Sequence, residues 1–305
     1  MKMLPPSEYP EIRSGQSIEL LKALHILTRD GKMNQDSRRK LKQVYHLYQF
    51  IEPLLQEVAA ATRYCEADDC GSSRMVQPKQ LDASMQPVKR GITLVDHGAG
   101  KSYLGFILYD LFFKTLQSEA HIYGIETREE LVAHSRDLAQ RLGFSGMSFL
   151  NLSVVESINS AKLPASIDMV TALHACDTAT DDAIHFALNK QAQFIVLVPC
   201  CQAEVAALLR RNKSASMKHP FTELWRHPIH TREFGSHATN VLRCLQLEAH
   251  GYQVTVTELV GWEHSMKNEL IIASYKDLPR QRPAERLGEI LKLLEVEELS
   301  GRFFV

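Results

Sequence analysis

The stretch Leu94-Val95-Asp96-His97-Gly98-Ala99-Gly100-Lys101-Ser102-Tyr103-Leu104 constrains the fold more than any other. An apolar run from Ile92 to Val95 meets an acid, then two glycines one residue apart, then a helix-like segment from Ser102 to Phe113. That order spells a strand, a tight turn and a helix start, a geometry that lays a ligand against bare backbone facing a helix N-terminus. A phosphate-binding loop, G-x-x-x-x-G-K-[ST], fails because Val95 holds its first glycine position, although Gly100-Lys101-Ser102 fits its end. A dinucleotide fingerprint, G-x-G-x-x-G/A, fails because its third position is Tyr103, whose ring obstructs close helix–strand packing. What remains is a strand-terminal acid followed by G-x-G.

From Gly91 onward the pattern alternates. Strands are predicted at Ile92–Asp96, His121–Glu126, Met147–Leu152, Ile167–His174, Phe194–Pro199, Tyr252–Gly261 and Leu270–Tyr275. Helices are predicted between them at Ser102–Leu116, Arg128–Leu142, Thr180–Leu188, Ala203–Arg210 and Ala238–His250, with a last one at Ala284–Val296. Such alternation implies an α/β fold with a doubly wound, mostly parallel sheet. The last two strands have no helix between them, so they pair as an antiparallel hairpin at one edge. Upstream, residues 15–63 carry helical spacing, with Leu20, Leu21, Leu24 and Leu27 in one run and Leu41, Val44, Leu47, Tyr48, Ile51 and Leu54 in the next. The stretch from Ala67 to Arg90 lacks periodicity and holds Gly71, Pro78 and Pro87, which reads as a connector or in part a lid.

Ligands of such sheets bind beyond the carboxyl ends of the strands. The first strand ends at Asp96-His97-Gly98 and the second at Gly124-Ile125-Glu126, where a carboxylate can accept from both hydroxyls of a ribose or can cap the helix from Arg128. The third ends at Asn151-Leu152-Ser153, the fourth at Leu173-His174-Ala175-Cys176-Asp177 and the fifth at Val198-Pro199-Cys200-Cys201-Gln202. Pro-Cys at this place allows a covalent thiolate nucleophile, or small apolar side chains packed behind a ligand. Cys65 and Cys70 have no second pair at zinc spacing, so no metal site is expected.

Together, D-x-G-x-G-K-S-Y-L, G-I-E, L-H-A-C-D-x-x-T-D, P-C-C and the late segment Glu263-His264-Ser265-Met266-Lys267-Asn268-Glu269-Leu270-Ile271 resemble one subgroup of the class I S-adenosylmethionine-dependent methyltransferases, the methyltransferase domain 32 group. That group includes eukaryotic tRNA 2′-O-methyltransferases. The resemblance implies a seven-stranded Rossmann-like methyltransferase sheet over residues 88–278, preceded by an N-terminal helical region and connector (1–87) and followed by a C-terminal helix and tail (279–305). It implies S-adenosylmethionine as cofactor, held by Asp96, His97, Gly98, Ala99, Gly100, Glu126 and Ser153. It places His174, Asp177 and Cys200 as catalytic candidates, and Cys201, Lys267 and Asn268 on the acceptor side. Asp177 stands where the group usually has Gly, and Gln202 where it has His.

The 305 residues carry a formal net charge of -1, so no global field draws the chain to nucleic acid or membrane. The basic residues cluster locally, in Arg210–Arg243 with Phe221 and Trp225 as stacking candidates, and in Arg38–Lys42. Such clusters either grip phosphates or form a solvated surface; with the resemblance, RNA, of the tRNA or rRNA class, is the expected acceptor, with a small molecule or protein as the alternative, or a non-catalytic cofactor-binding scaffold. No run approaches the ~18 apolar residues of a membrane helix, the first residues lack a signal-peptide core, and adjacent Cys200-Cys201 suits a reducing compartment. A cytoplasmic protein with no membrane partner is the expectation.

Overall fold

The computed structural model describes residues 11–61, 63–66, 69–74, 85–88, 91–116, 120–173, 177–199, 202–212, 220–259 and 269–304, with backbone alone for 63–66, 69–74, 85–88 and 221. The chain divides into two compact units, Met1–Met169 and Val170–Val305.

The first unit opens with two helices, α1 (Ile18–Ala23) and α2 (Gln35–Ala60). Asn34 starts α2 by accepting the Ser37 N–H, as an N-cap side chain does. Leu41, Val44, Leu47, Tyr48, Ile51, Leu55 and Val58 then recur every three or four residues and are buried, which gives the helix its inner face. The connector differs from its sequence reading. It contributes two strands, β2 (Asp69–Arg74) and β3 (Met85–Val88), which pair antiparallel with β1 (Arg63–Glu66) just before it, in the order β2-β1-β3. Strands this short carry little alternation to read, and Pro87 sits on an edge strand, where a missing N–H costs least.

Next come β4 (Thr93–His97), α3 (Tyr103–Leu111), β5 (His121–Glu126), α4 (Glu129–Leu142), β6 (Met147–Asn151) and the short helix α5 (Val154–Asn159). β4 pairs parallel with β5 and β5 with β6, so their carboxyl ends lie side by side, with Asp96 opposite Gly124 and Glu126 opposite Asn151. All five residues of β4 are buried, as expected of a central parallel strand.

The second unit contains β7 (Met169–Leu173), α6 (Thr178–Asn189), β8 (Phe194–Val198), α7 (Glu204–Arg211), α8 (Pro228–Ala249), β9 (Tyr252–Glu258), β10 (Glu269–Tyr275), α9 (Gln281–Leu293) and α10 (Ser300–Phe303). α8 begins ten residues before the predicted Ala238, because Pro228 presets the first helical position while the His- and Arg-rich turns behind it show no apolar period. The seven-stranded sheet runs β6-β5-β4-β7-β8-β10-β9. β10 is antiparallel to both β8 and β9, which is the edge hairpin expected from the sequence.

Val205, Leu208 and Leu209 of α7, Leu242 of α8, Leu287 and Leu291 of α9 and Phe303 of α10 share one apolar core. α7 and α8 touch backbone to side at Gly235: a Cβ there would stand 2.7 Å from the Cα, the Cβ and the N of Ala206. Backbone has nowhere to retreat, so Gly235→Ala is expected to destabilise the fold by about 1–3 kcal/mol despite alanine's better helix propensity. A denaturant midpoint equal to or above wild type would refute that close approach.

Candidate functional site

The turn after β4 is shaped by three alternate left-handed residues, Gly98 (φ 67°), Gly100 (φ 56°) and Ser102 (φ 50°). Glycine adopts this region freely, whereas Ser102 does so at a cost. Two bonds fix the turn: the Ala99 N–H donates to the Ile125 carbonyl at 2.9 Å and the Ser102 N–H to the Ala99 carbonyl at 2.7 Å. Beneath it, the Ser102 hydroxyl donates to Asp96 Oδ2 at 3.3 Å, and both residues are buried. Asp96 therefore acts on this turn from below, holding the residue that starts α3.

Glu126 faces the turn from the end of β5. Its Oε2 accepts the Gly100 N–H at 2.9 Å and Arg128 Nη2 at 3.0 Å. Its Oε1 accepts the Arg128 N–H at 3.0 Å, Arg128 Nε at 3.1 Å and the Thr127 hydroxyl at 3.3 Å. Burial by itself would raise the carboxyl pKa, but the Arg128 guanidinium and the Arg128 and Gly100 N–H groups outweigh it and hold the value down to about 2. Glu126 is thus a fixed anion, tied to the entry of α4 through the Arg128 N–H as well as to the glycine turn. His97, buried beside it, is pushed down to about 4 by burial, against the opposing pull of Glu126, and is a neutral imidazole at pH 7.

Asn151 straps the neighbouring strand end by donating to the carbonyls of Glu126 and Thr127 at 3.1 and 2.8 Å. Ser153 is the N-cap of α5 in a reciprocal capping box: its N–H and hydroxyl both donate to Glu156 Oε2, and its oxygen accepts the Glu156 N–H. The hydroxyl proton and the N–H of Ser153 are both engaged in that cap.

These residues fit an adenosine-bearing cofactor. Among the described residues, a Cβ at Gly100 would find only Arg128 Nη2 within 4 Å, at 3.9 Å, so at that position the turn's backbone meets one guanidinium. An ionised carboxylate stands at its rim, the partner that a ribose diol requires.

On the acceptor side, His174, Cys200, Cys201, Lys267 and Asn268 lie outside the described residues. Asp177 is described, and its place was not foreseen. It adopts φ 50° and ψ -121°, a conformation natural to the glycine usual there in the resembling group. Its Oδ1 accepts the Ala203 N–H at 3.1 Å, so the carboxylate is engaged in joining the start of α6 to the start of α7. Its carbonyl accepts from Arg243 Nη2 at 2.8 Å.

Arg243, fully buried, is the hub of a polar cluster that sequence reasoning missed. Its Nε and Nη2 donate to the two oxygens of buried Asp181 at 2.7 and 2.8 Å, and its Nη1 to Asn240 Oδ1 at 3.1 Å. Gln202 Nε2 donates to the same Asn240 oxygen, the Ser236 hydroxyl donates to Gln202 Oε1, and Asn240 Nδ2 donates to Glu269. The one signal for it in the sequence was a run of polar residues at helix spacing, Ser236, Asn240 and Arg243, on a helix that is otherwise part of the core.

The basic region Arg210–Arg243 is corrected in two particulars. Arg243 is an interior ion pair, and Trp225, only 4% exposed, packs on the Phe234 ring at 5.1 Å and offers no face for stacking. Arg210, Arg211, Arg226 and Arg232 are exposed, as are His227, His230 and His237. Three of these arginines pair with exposed acids: Arg211 with Glu298, Arg226 with Glu223 and Arg232 with Glu233. In the first unit Arg38, Arg39, Lys40 and Lys42 all lie exposed on the first turns of α2. No described helix is long and apolar enough to cross a membrane.

Comparison with known proteins adds the family. The methyltransferase domain family matches residues 39–208, more than half of the chain. A mouse (Mus musculus) glutathione S-transferase C-terminal domain-containing protein is 23% identical over 206 residues, covering 62% of this chain and 31% of its own length. The homologous protein of Drosophila melanogaster is 21% identical over 272 residues, covering 80% and 43% respectively. The chain therefore spans less than half the length of these curated relatives. Among solved structures, magnesium protoporphyrin IX methyltransferase from Synechocystis PCC 6803, with bound S-adenosylhomocysteine, superposes with a TM-score of 0.41 at 14% identity, covering 84% of this chain and 94% of that one. With the strand order, the glycine turn and the carboxylate at its rim in place, the chain belongs to the methyltransferase domain family.

Proposed function

We propose that the methyl acceptor is RNA, of the tRNA or rRNA class, and that the cofactor is held by the turn Gly98-Ala99-Gly100, with Asp96 fixing the turn, His97 beside it and Glu126 receiving the ribose hydroxyls. The cofactor supplies a methyl group on a sulfonium, and the protein's task is to present it in line with the acceptor atom. His174, Asp177 and Cys200, with Cys201, Lys267 and Asn268, are the residues to which the sequence assigns the acceptor.

The observation that carries the RNA reading is the exposed run at the start of α8, where Arg226, His227, His230 and Arg232 follow one another with no acid on the same stretch except Glu233. The pairs Arg226–Glu223 and Arg232–Glu233 are solvent-exposed, so exchanging their carboxylates for phosphates costs each arginine little. Binding of bulk tRNA, followed by fluorescence anisotropy over a salt series, is expected to weaken steeply with salt. In Arg226→Ala/Arg232→Ala the logarithmic slope is expected to fall by about one for each phosphate that the variant no longer neutralises. A labelled methyl group recovered from a cell extract in the RNA fraction would agree. Label confined to protein or small molecules, with a salt slope unchanged by the double substitution, would transfer the assignment to those acceptors.

A further inference from the structure

The carboxylate that the cofactor requires is already full. Two oxygens offer about four lone-pair sites, and five donors reach them: the Gly100 and Arg128 N–H groups, the Thr127 hydroxyl, and Nε and Nη2 of Arg128. A ribose brings two more donors, so the number stays at its present five only if two of the present ones leave. The Gly100 N–H belongs to a turn held by its own backbone bonds, and the Arg128 N–H to the first residue of α4's entry. The guanidinium is different. The Arg128 side chain is 60% exposed while that of Glu126 is 8% exposed, so Arg128 swings into water at little cost but Glu126 stays where it is. The same guanidinium stands 3.9 Å from the Cβ position of Gly100, over the face of the turn that a ligand would cover.

We propose that Arg128 is a latch on the cofactor site: its guanidinium takes the place of the ribose diol on Glu126 and lies over the glycine turn, and it swings out when the cofactor enters. The latch rests on the assignment of Glu126 as the ribose receptor. It keeps a buried carboxylate satisfied in the empty protein and makes the empty site compete with its own ligand. Only the fraction of molecules with the latch open binds, so the observed dissociation constant exceeds the intrinsic one by the inverse of that fraction. A fork-shaped guanidinium suits both oxygens at once, and a lysine ammonium does not. Salt weakens an exposed ion pair, so the latch loosens at higher ionic strength.

The test is titration calorimetry of S-adenosylmethionine and S-adenosylhomocysteine into the full chain, with stopped-flow association rates. Arg128→Met is expected to bind both ligands roughly three- to tenfold more tightly, with most of the gain in association rate, while Arg128→Lys falls between it and wild type. Raising salt from 50 to 500 mM is expected to tighten binding in wild type and leave Arg128→Met unmoved. Weaker or equal binding by both Arg128 variants, with binding lost in Glu126→Gln, overturns the latch and leaves Glu126 as the ribose receptor. Wild-type affinity in Glu126→Gln overturns both, because no receptor then exists to compete for. Unliganded melting temperatures identify a variant that has simply lost its fold, and in that case Arg128→Lys and the salt series decide.

Discussion

Arg243→Met is expected to lower the unfolding free energy by about 3–5 kcal/mol, the cost of leaving a buried carboxylate without its partner. Arg243 and Asp181 are 1% and 5% exposed at their side chains and are joined by two parallel bonds, so water does not compensate either group once the other is gone. Truncation also strips a donor from Asn240 and one from the Asp177 carbonyl. The charge, more than the volume, sets the size of the loss. Arg243→Met/Asp181→Leu removes both charges and is expected to lose less than the sum of the two single substitutions, because neither is left uncompensated. Urea unfolding of the wild type, both single variants and the double variant measures this. A single variant within 1 kcal/mol of wild type would show that the pair is not desolvated as the structure has it.

The second large effect is an acid-side loss of stability centred on His97. Burial holds the folded imidazole at about 4, against an ordinary value near 6.5. Between those two pH values the unfolded chain binds a proton that the native chain refuses, so stability is complete above about 6.5 and declines as pH falls to about 4. At 1.36 kcal/mol per unit the loss amounts to about 3 kcal/mol. His121, also lowered by burial, adds a loss of the same sign in that window. Glu126 acts elsewhere: its carboxyl is held near 2, so its contribution is present above about 4.5 and is lost below it. Urea midpoints of wild type, His97→Gln and His121→Gln at pH 7, 6, 5 and 4 separate the three groups. An undiminished pH slope in His97→Gln would remove His97 from the account, whatever that variant's stability at pH 7.

The alternation of strands and helices from residue 91 was plain to read, because the central strands are largely apolar runs, and an acid closes the first two at Asp96 and Glu126. β5 matches its predicted limits, and β4 lies one residue later than expected. The small sheet β1–β3 was hidden, since strand pairing there runs through backbone and leaves no alternation in the sequence. The early turns of α8 were hidden for a related reason: a helix start rich in Arg and His has no apolar stripe. At the site, Asp96 and Glu126 were found as residue types at strand ends. Their partners were not, because whether a carboxylate faces a ligand, a serine hydroxyl or an arginine two residues on depends on side-chain geometry. Asp177 shows the same limit. The unusual acid was visible, but the left-handed backbone and the bond to Ala203 belong to the folded chain.

The cluster around Arg243 bears on how this protein would be re-engineered. Asp177, Gln202 and Glu269 belong to it, and in sequence they border residues 174–176, 200–201 and 260–268, the stretches that hold most of the residues assigned to the acceptor. A mutational library aimed at a new acceptor should randomise within those stretches and leave the cluster fixed. A change at Asn240, which serves Gln202, Glu269 and Arg243 at once, alters the anchorage of all three borders together. Selections that admit such changes will gather variants whose altered specificity is inseparable from lost stability.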